Sequence, residues 1–189
     1  MSGNSIQTDR LLPSHGCRVG IWNRFCRNED GTTAIEFGFV ALPFLGMLFA
    51  IIQTALIFFG NQILETANGD AARLIMTGQA QTQAFNAATY KTNLCNRVKG
   101  LMSCSGISID VQSYQTFSAA NFSRPVDAQG NLATGGFGFN PGSAGDIVVV
   151  RAIYEYPMFL SMFGLDLSDM GGNKRLLIAT AAFRNEPFQ

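Results

Sequence analysis

The longest apolar run opens at Phe37 and closes at Leu64, 28 residues without a charge, bracketed by Glu36 and Glu65. A hydrocarbon core needs about 20 apolar helical residues to cross it. The run therefore predicts a transmembrane segment over about 37–60, with Pro43 near one end, where neighbouring groups can re-satisfy the freed carbonyl. A buried core helix is the competing reading, but core helices are usually shorter and interrupted by polar residues. Beyond the run, Ile63, Leu64, Ala67, Ala71, Leu74, Ile75 and Gly78 recur at helical spacing. Together the two patterns predict one helix from about Thr33 to Gly78, roughly 65–70 Å long at 1.5 Å per residue, its outer part amphipathic. A coiled coil is the alternative for that outer part, although the stripe is too short for three heptads.

Further on the periods shorten. Residues 82–102 predict a second, weaker helix with Phe85, Ala88, Val98 and Leu101 on one side. Ile107 to Ser113 alternates apolar and polar positions, Asp146 to Tyr156 is β-branched and aromatic up to Pro157, and Arg175 to Phe183 supplies a third strand. Gly130 to Gly145 is rich in turn formers and reads as a long hairpin loop between the first two strands. Its Gly136-Phe-Gly138 lacks the Gly-Lys-Ser/Thr ending of a phosphate loop. Phe137 and Phe139 are expected to plug the core or to touch a partner. Met158 to Phe163 is an apolar run that either covers the sheet as a short helix or, if exposed, forms an interaction patch. The fold class is α+β: a long N-terminal helix leading into a small domain with an antiparallel sheet.

Composition narrows the function. Of 189 residues, 14% are charged and 47% apolar, an imbalance that points to membrane contact or burial in an assembly. With zero formal charge and a pI near 6.5, no basic footprint for nucleic acid is present. The single histidine, His15, lies in the polar N-terminal segment, which argues against a His-based catalytic site or a multi-His metal site. Asp110, Asp127, Asp146, Glu155, Asp166 and Asp169 supply carboxylates after the span, but none forms a recognisable acid–base pair; Asp166 and Asp169 read as a solvated face or a helix cap. No enzyme activity, cofactor or small-molecule substrate is therefore expected.

Arg10, Arg18, Arg24 and Arg27 precede the span and only Arg73 follows it closely, so the positive-inside rule places the N-terminus in the cytoplasm and residues 79–189 in the periplasm. The cysteines then fall into two compartments, Cys17 and Cys26 before the span, Cys95 and Cys104 after it. The outer pair is expected to close a disulfide, free thiols being the alternative.

The junction at Asn28-Glu-Asp-Gly-Thr-Thr-Ala-Ile-Glu-Phe37 holds the most specific chemistry. A carboxylate at the mouth of a membrane helix is costly without a partner. Glu36 either rests among lipid headgroups or pairs with an α-amino group, such as one released at Thr32 by cleavage after Gly31. Gly31, four residues, then Glu36-Phe37 leading into an apolar run with an early Leu-Pro43, resembles the TadE family, the pseudopilins of tight-adherence (Flp-type) pilus systems. Ala67-Asn-Gly-Asp-Ala-Ala-Arg73 matches the family's following small-residue helix, and the resemblance runs over 28 to about 78. It implies a pilin-like architecture and a leader, 1–31, removed by a prepilin peptidase at the cytoplasmic face. Glu36, Phe37 and Pro43 would set register among helices of neighbouring subunits. The partners implied are inner-membrane lipid, the peptidase, other pilins and the pilus assembly machinery. The alternative is an unprocessed membrane-anchored periplasmic binding or adhesion module, which assigns no task to the spacing between Gly31 and Glu36.

Overall fold

The structure, a computed structural model, describes residues 32–159 and 166–188. The chain divides into two compact units at Leu45/Gly46. In the first unit the described residues are the opening turns of helix α1, Thr32–Met76. These turns are exposed on nearly all sides. At 45 residues α1 is about 68 Å long, and it runs through Pro43 without ending. Pro43 has no N–H for the carbonyl of Phe39, a loss that a kinked or adjusted helix accommodates.

In the second unit, burial begins at Gln53. It recurs at Ile57, Gly60, Leu64, Ala67, Asn68, Ala71, Ala72 and Ile75. Steps of three and four place these on one stripe. The stripe was legible from Leu64 onward. Ile63 and Leu74 turn out to be half-buried flanks rather than its centre. The small residues let the helix lie close: a Cβ on Gly60 would stand 3.3 Å from Met102 Cε and 3.5 Å from Leu177 Cδ1. The α-helix stops at Met76, two residues before the expected Gly78. Gly78 takes a left-handed conformation, φ 77°, and a Cβ there would collide with the Phe188 ring, so glycine is required on both counts.

The expected helix over 82–102 is two helices. A short α2, Gln79–Thr82, is separated by Ala84, which has positive φ, from α3, Ala87–Val98. The Asn86 side chain starts α3 by accepting the Thr89 N–H at 2.8 Å. Gly100, φ 91°, lies just past its end. The buried face is Tyr90, Leu94, Cys95 and Val98. Ala88 and Leu101 are exposed and Phe85 is only half-buried. The reason is size: Tyr90, Leu94 and Val98, four residues apart, bury far more area than the alanine. Cys95 is joined to Cys104, in a 3₁₀ turn (Cys104–Gly106), by a disulfide with Cα atoms 5.6 Å apart. The nine-residue separation stabilises by about 3 kcal/mol in the chain-entropy treatment.

Three antiparallel strands follow in spatial order: β1 Ile107–Tyr114, β2 Ile147–Pro157 and β3 Lys174–Arg184. Val148, Val150, Ala152 and Tyr154 of β2 join the main core with the α1 stripe and α3. Ile153 points the other way, into a second cluster with Met170 and Leu176, flanked by Val126, Leu132 and Phe137. Covered on both faces, the middle strand reads as a nearly continuous apolar run. α1 lies antiparallel to β2. Gln53 Nε2 meets Met158 Sδ at 3.5 Å, Asn68 Nδ2 reaches the Val150 and Ala179 carbonyls at 3.4 and 3.3 Å, and the Glu186 N–H donates to the Met76 carbonyl at 2.9 Å. From Gln53 to Met76 the helix rises about 35 Å, and Ile147 to Met158 extends about as far, so the lengths match.

The connection over 115–146 is not a projecting hairpin loop. Its middle covers the second face of the sheet, with Val126 and Leu132 bridged to each other. Its end then runs beside β1, where Val111 N–H donates to the Gly138 carbonyl and Asn140 N–H to the Val111 carbonyl, at 2.9 and 2.8 Å. Phe137 plugs the second cluster and Phe139 packs on Tyr90, ring centres 5.6 Å apart. Of the apolar run Met158 to Phe163, Met158 is buried and Phe159 exposed; 160–163 lie outside the described residues.

Candidate membrane anchor and assembly segment

The start of α1 carries the residues singled out at the junction. Gly31 and the leader before it lie outside the described residues, as do His15, Cys17 and Cys26. Thr32 is the first helical residue. Glu36 lies one turn on, on the same face at i+4, and is exposed. No ion pair reaches it among the described residues. Phe37 is 73% exposed and Pro43 also faces outward. Gly38 and Gly46 have nothing within 4 Å of an added Cβ. The structure thus places Thr32, Glu36, Phe37 and Pro43 on one helix and leaves Glu36, Phe37 and Pro43 exposed.

The next physical fact is exposure of apolar surface. The most apolar 18-residue window of α1 has a mean hydropathy of 2.2, and none of that window is buried. A core helix of a water-soluble domain would bury its apolar side chains. Here Phe39, Leu42, Phe44, Met47 and Phe49 all lie open. Such a surface needs lipid or other apolar helices around it. This one helix, long and apolar enough to cross a membrane, carries candidate binding surface of a different kind from a cleft.

The carboxylates weighed as acid–base candidates each have a structural partner. Asp110 accepts from Arg151 Nη2 and Nε at 2.6 and 3.1 Å, and from the Gly138 N–H and Gln112 Nε2 at 3.0 Å. Glu155 pairs with Lys174. Asp169 holds Arg124 at 2.8 Å and accepts the Leu176 N–H. Asp146 and Asp127 accept backbone N–H groups of their own turns. Asp166 does the same with Ser168, whose hydrogen bonds hold its carboxyl below the usual range. Asp166 therefore closes a local turn and Asp169 ties the chain to β3 and Arg124; among the described residues neither caps a helix. Tyr90, whose hydroxyl finds no hydrogen-bond partner among the described residues, has its ionisation pushed far up by burial, with the Arg97 charge acting in the opposite direction. Sequence reasoning missed the Asp110–Arg151 pair. A charged residue inside the alternating β1 and another inside the apolar run of β2 were the available signal, but the register that pairs them is not.

These observations define an α+β protein with an N-terminal apolar helix of membrane-spanning length, compatible with a single-pass anchor. Comparison with known families gives the particular: residues 31–73 match the TadE-like protein family. The matched segment is the first 42 residues of α1 with the residue before them. No curated protein and no solved structure matches the chain.

Proposed function

We propose that the chain is a pilin-like subunit that takes part in assembly of a tight-adherence (Flp-type) pilus, with a non-catalytic role. The observation that carries this reading is the coincidence of the TadE-like match with the exposed apolar surface of α1 from Ile35 onward. The N-terminus lies in the cytoplasm, α1 crosses the inner membrane and residues 79–189 stand in the periplasm. A prepilin peptidase cuts after Gly31. The new Thr32 ammonium meets Glu36 of a neighbouring subunit, and neutralising the two charges against each other lowers the cost of burying both. Phe37 and Pro43 lie where adjoining helices pack, and other pilins and the assembly machinery are the partners.

Intact mass and N-terminal sequence of the protein from its native membrane test the route. A chain beginning at Thr32, and a full-length chain for Gly31→Leu, are the expected results. A native chain that retains residues 1–31 would leave the alternative, an unprocessed anchored binding or adhesion module.

A further inference from the structure

The end of the domain nearest Gln53 exposes two large apolar side chains, Phe159 and Leu101. Gln53, buried inside the apolar run, is covered by Met158. The next residue, Phe159, is 72% exposed. Two turns further along the helix, Gly60 meets Met102. Its neighbour Leu101 is 60% exposed and lines a groove of about 420 Å³ with Phe59, Ile63, Asp70 and Arg97. Side chains from two separate parts of the domain thus stand at the level of helix residues 53–60, where the uncovered helix surface adds Leu56, Phe58 and Phe59. The opposite end of the sheet is where Tyr114 pairs with Ile147, and Phe117 follows there.

Helix arithmetic sets the depth. A span that cannot draw in Glu36 starts at Phe37, and 20 residues at 1.5 Å, about 30 Å of hydrocarbon, end at Leu56. Gln53 would then lie inside the apolar layer. A polar side chain at that depth needs a protein partner, and Met158 provides one. We propose that Phe159 and Leu101 are immersed in the outer interfacial layer of the bilayer, so that the domain is seated in the lipid and not held above it. The inference rests on the anchor reading of α1. The occupant is lipid because Leu101 shares its groove with Phe59 of the exposed apolar helix surface, and because aromatic side chains favour the interfacial layer.

Tryptophan scanning tests it in the full chain. Trp22→Phe clears the background, and Phe49→Trp, Leu101→Trp, Phe159→Trp and Phe117→Trp are reconstituted one at a time in phosphatidylcholine vesicles with or without brominated acyl chains. All four positions are exposed, so the substitutions leave both cores intact. Emission is expected to fall in brominated vesicles for positions 49, 101 and 159 and to be unchanged for 117. If 49 is quenched while 101 or 159 stays bright, the seating is overturned and the anchor stands. If 49 stays bright, the anchor reading fails and takes the seating with it. Quenching at 117 as well as 159 would mean that the domain lies along the membrane, which also overturns an end-on seat.

Discussion

Asp110 keeps a carboxylate with 1% of its surface exposed, and only the completeness of its partners makes that tolerable. Both oxygens are engaged, one by the Arg151 fork and the other by the Gly138 N–H and the Gln112 amide. Arg151 in turn donates to the Ser123 carbonyl at 3.0 Å. The pair therefore ties two places of the connection 115–146 to the sheet. Removing one member of a buried pair strands the other charge, so Asp110→Ala is expected to cost about 3 kcal/mol or more. Denaturant unfolding in detergent would measure this. Asp110→Asn with Arg151→Met, which removes both charges at nearly unchanged volume and keeps an acceptor for the Gly138 N–H, should recover most of the loss; a double variant no more stable than Asp110→Ala would refute the stranded-charge account. The sequence announces both residues but not their meeting, because 41 positions and a long loop separate them.

At the scale of the element, α1 serves two environments along one axis. Its opening turns need an apolar medium on all sides. From Gln53 onward one stripe needs the sheet. Leu64→Ala is expected to lower the stability of the domain by about 3 kcal/mol, because Leu64 is fully buried and a cavity would remain. Leu48→Ala removes a side chain of the same type from an exposed position and should leave the domain's unfolding midpoint unchanged. Equal losses from the two would show that the helix is packed alike along its length. The 3.6 period made the second half legible from Leu64. The stripe's beginning was hidden, since Gln53, Ile57 and Gly60 sit inside an uncharged run where most neighbours are apolar and period carries little contrast. The three strands were legible from β-branched residues and alternation. The covering loop was not: Gly, Asn and Pro announce turns but not the direction in which the chain leaves them. Its apolar residues, Val126, Leu132 and Phe137, are too sparse to show a period.

For the whole molecule, anchor, processing and topology meet in its four thiols. Cys95 and Cys104 are bonded in the folded domain, and such bonds persist where the compartment is oxidising. Cys17 and Cys26 precede Gly31, so a cut there removes both with the leader. The number of labels taken up by protein denatured without reductant in a thiol reagent, read together with the presence of residues 1–31, then separates the possible states. An uncut chain whose domain faces the periplasm should take two labels, both on the leader. The cut chain should take none, and two only after reduction. A domain facing the cytoplasm should expose Cys95 and Cys104 without reduction, adding two labels whether or not the leader is present, because a reducing compartment keeps them as thiols. Intact mass reads the number of labels and the presence of residues 1–31 in the same spectrum. The expected species from native membranes is therefore a chain from Thr32 with no reactive thiol. A chain from Thr32 that takes two labels without reduction would keep the processing step and overturn the orientation. A full-length chain with two labels would keep the orientation and overturn the processing.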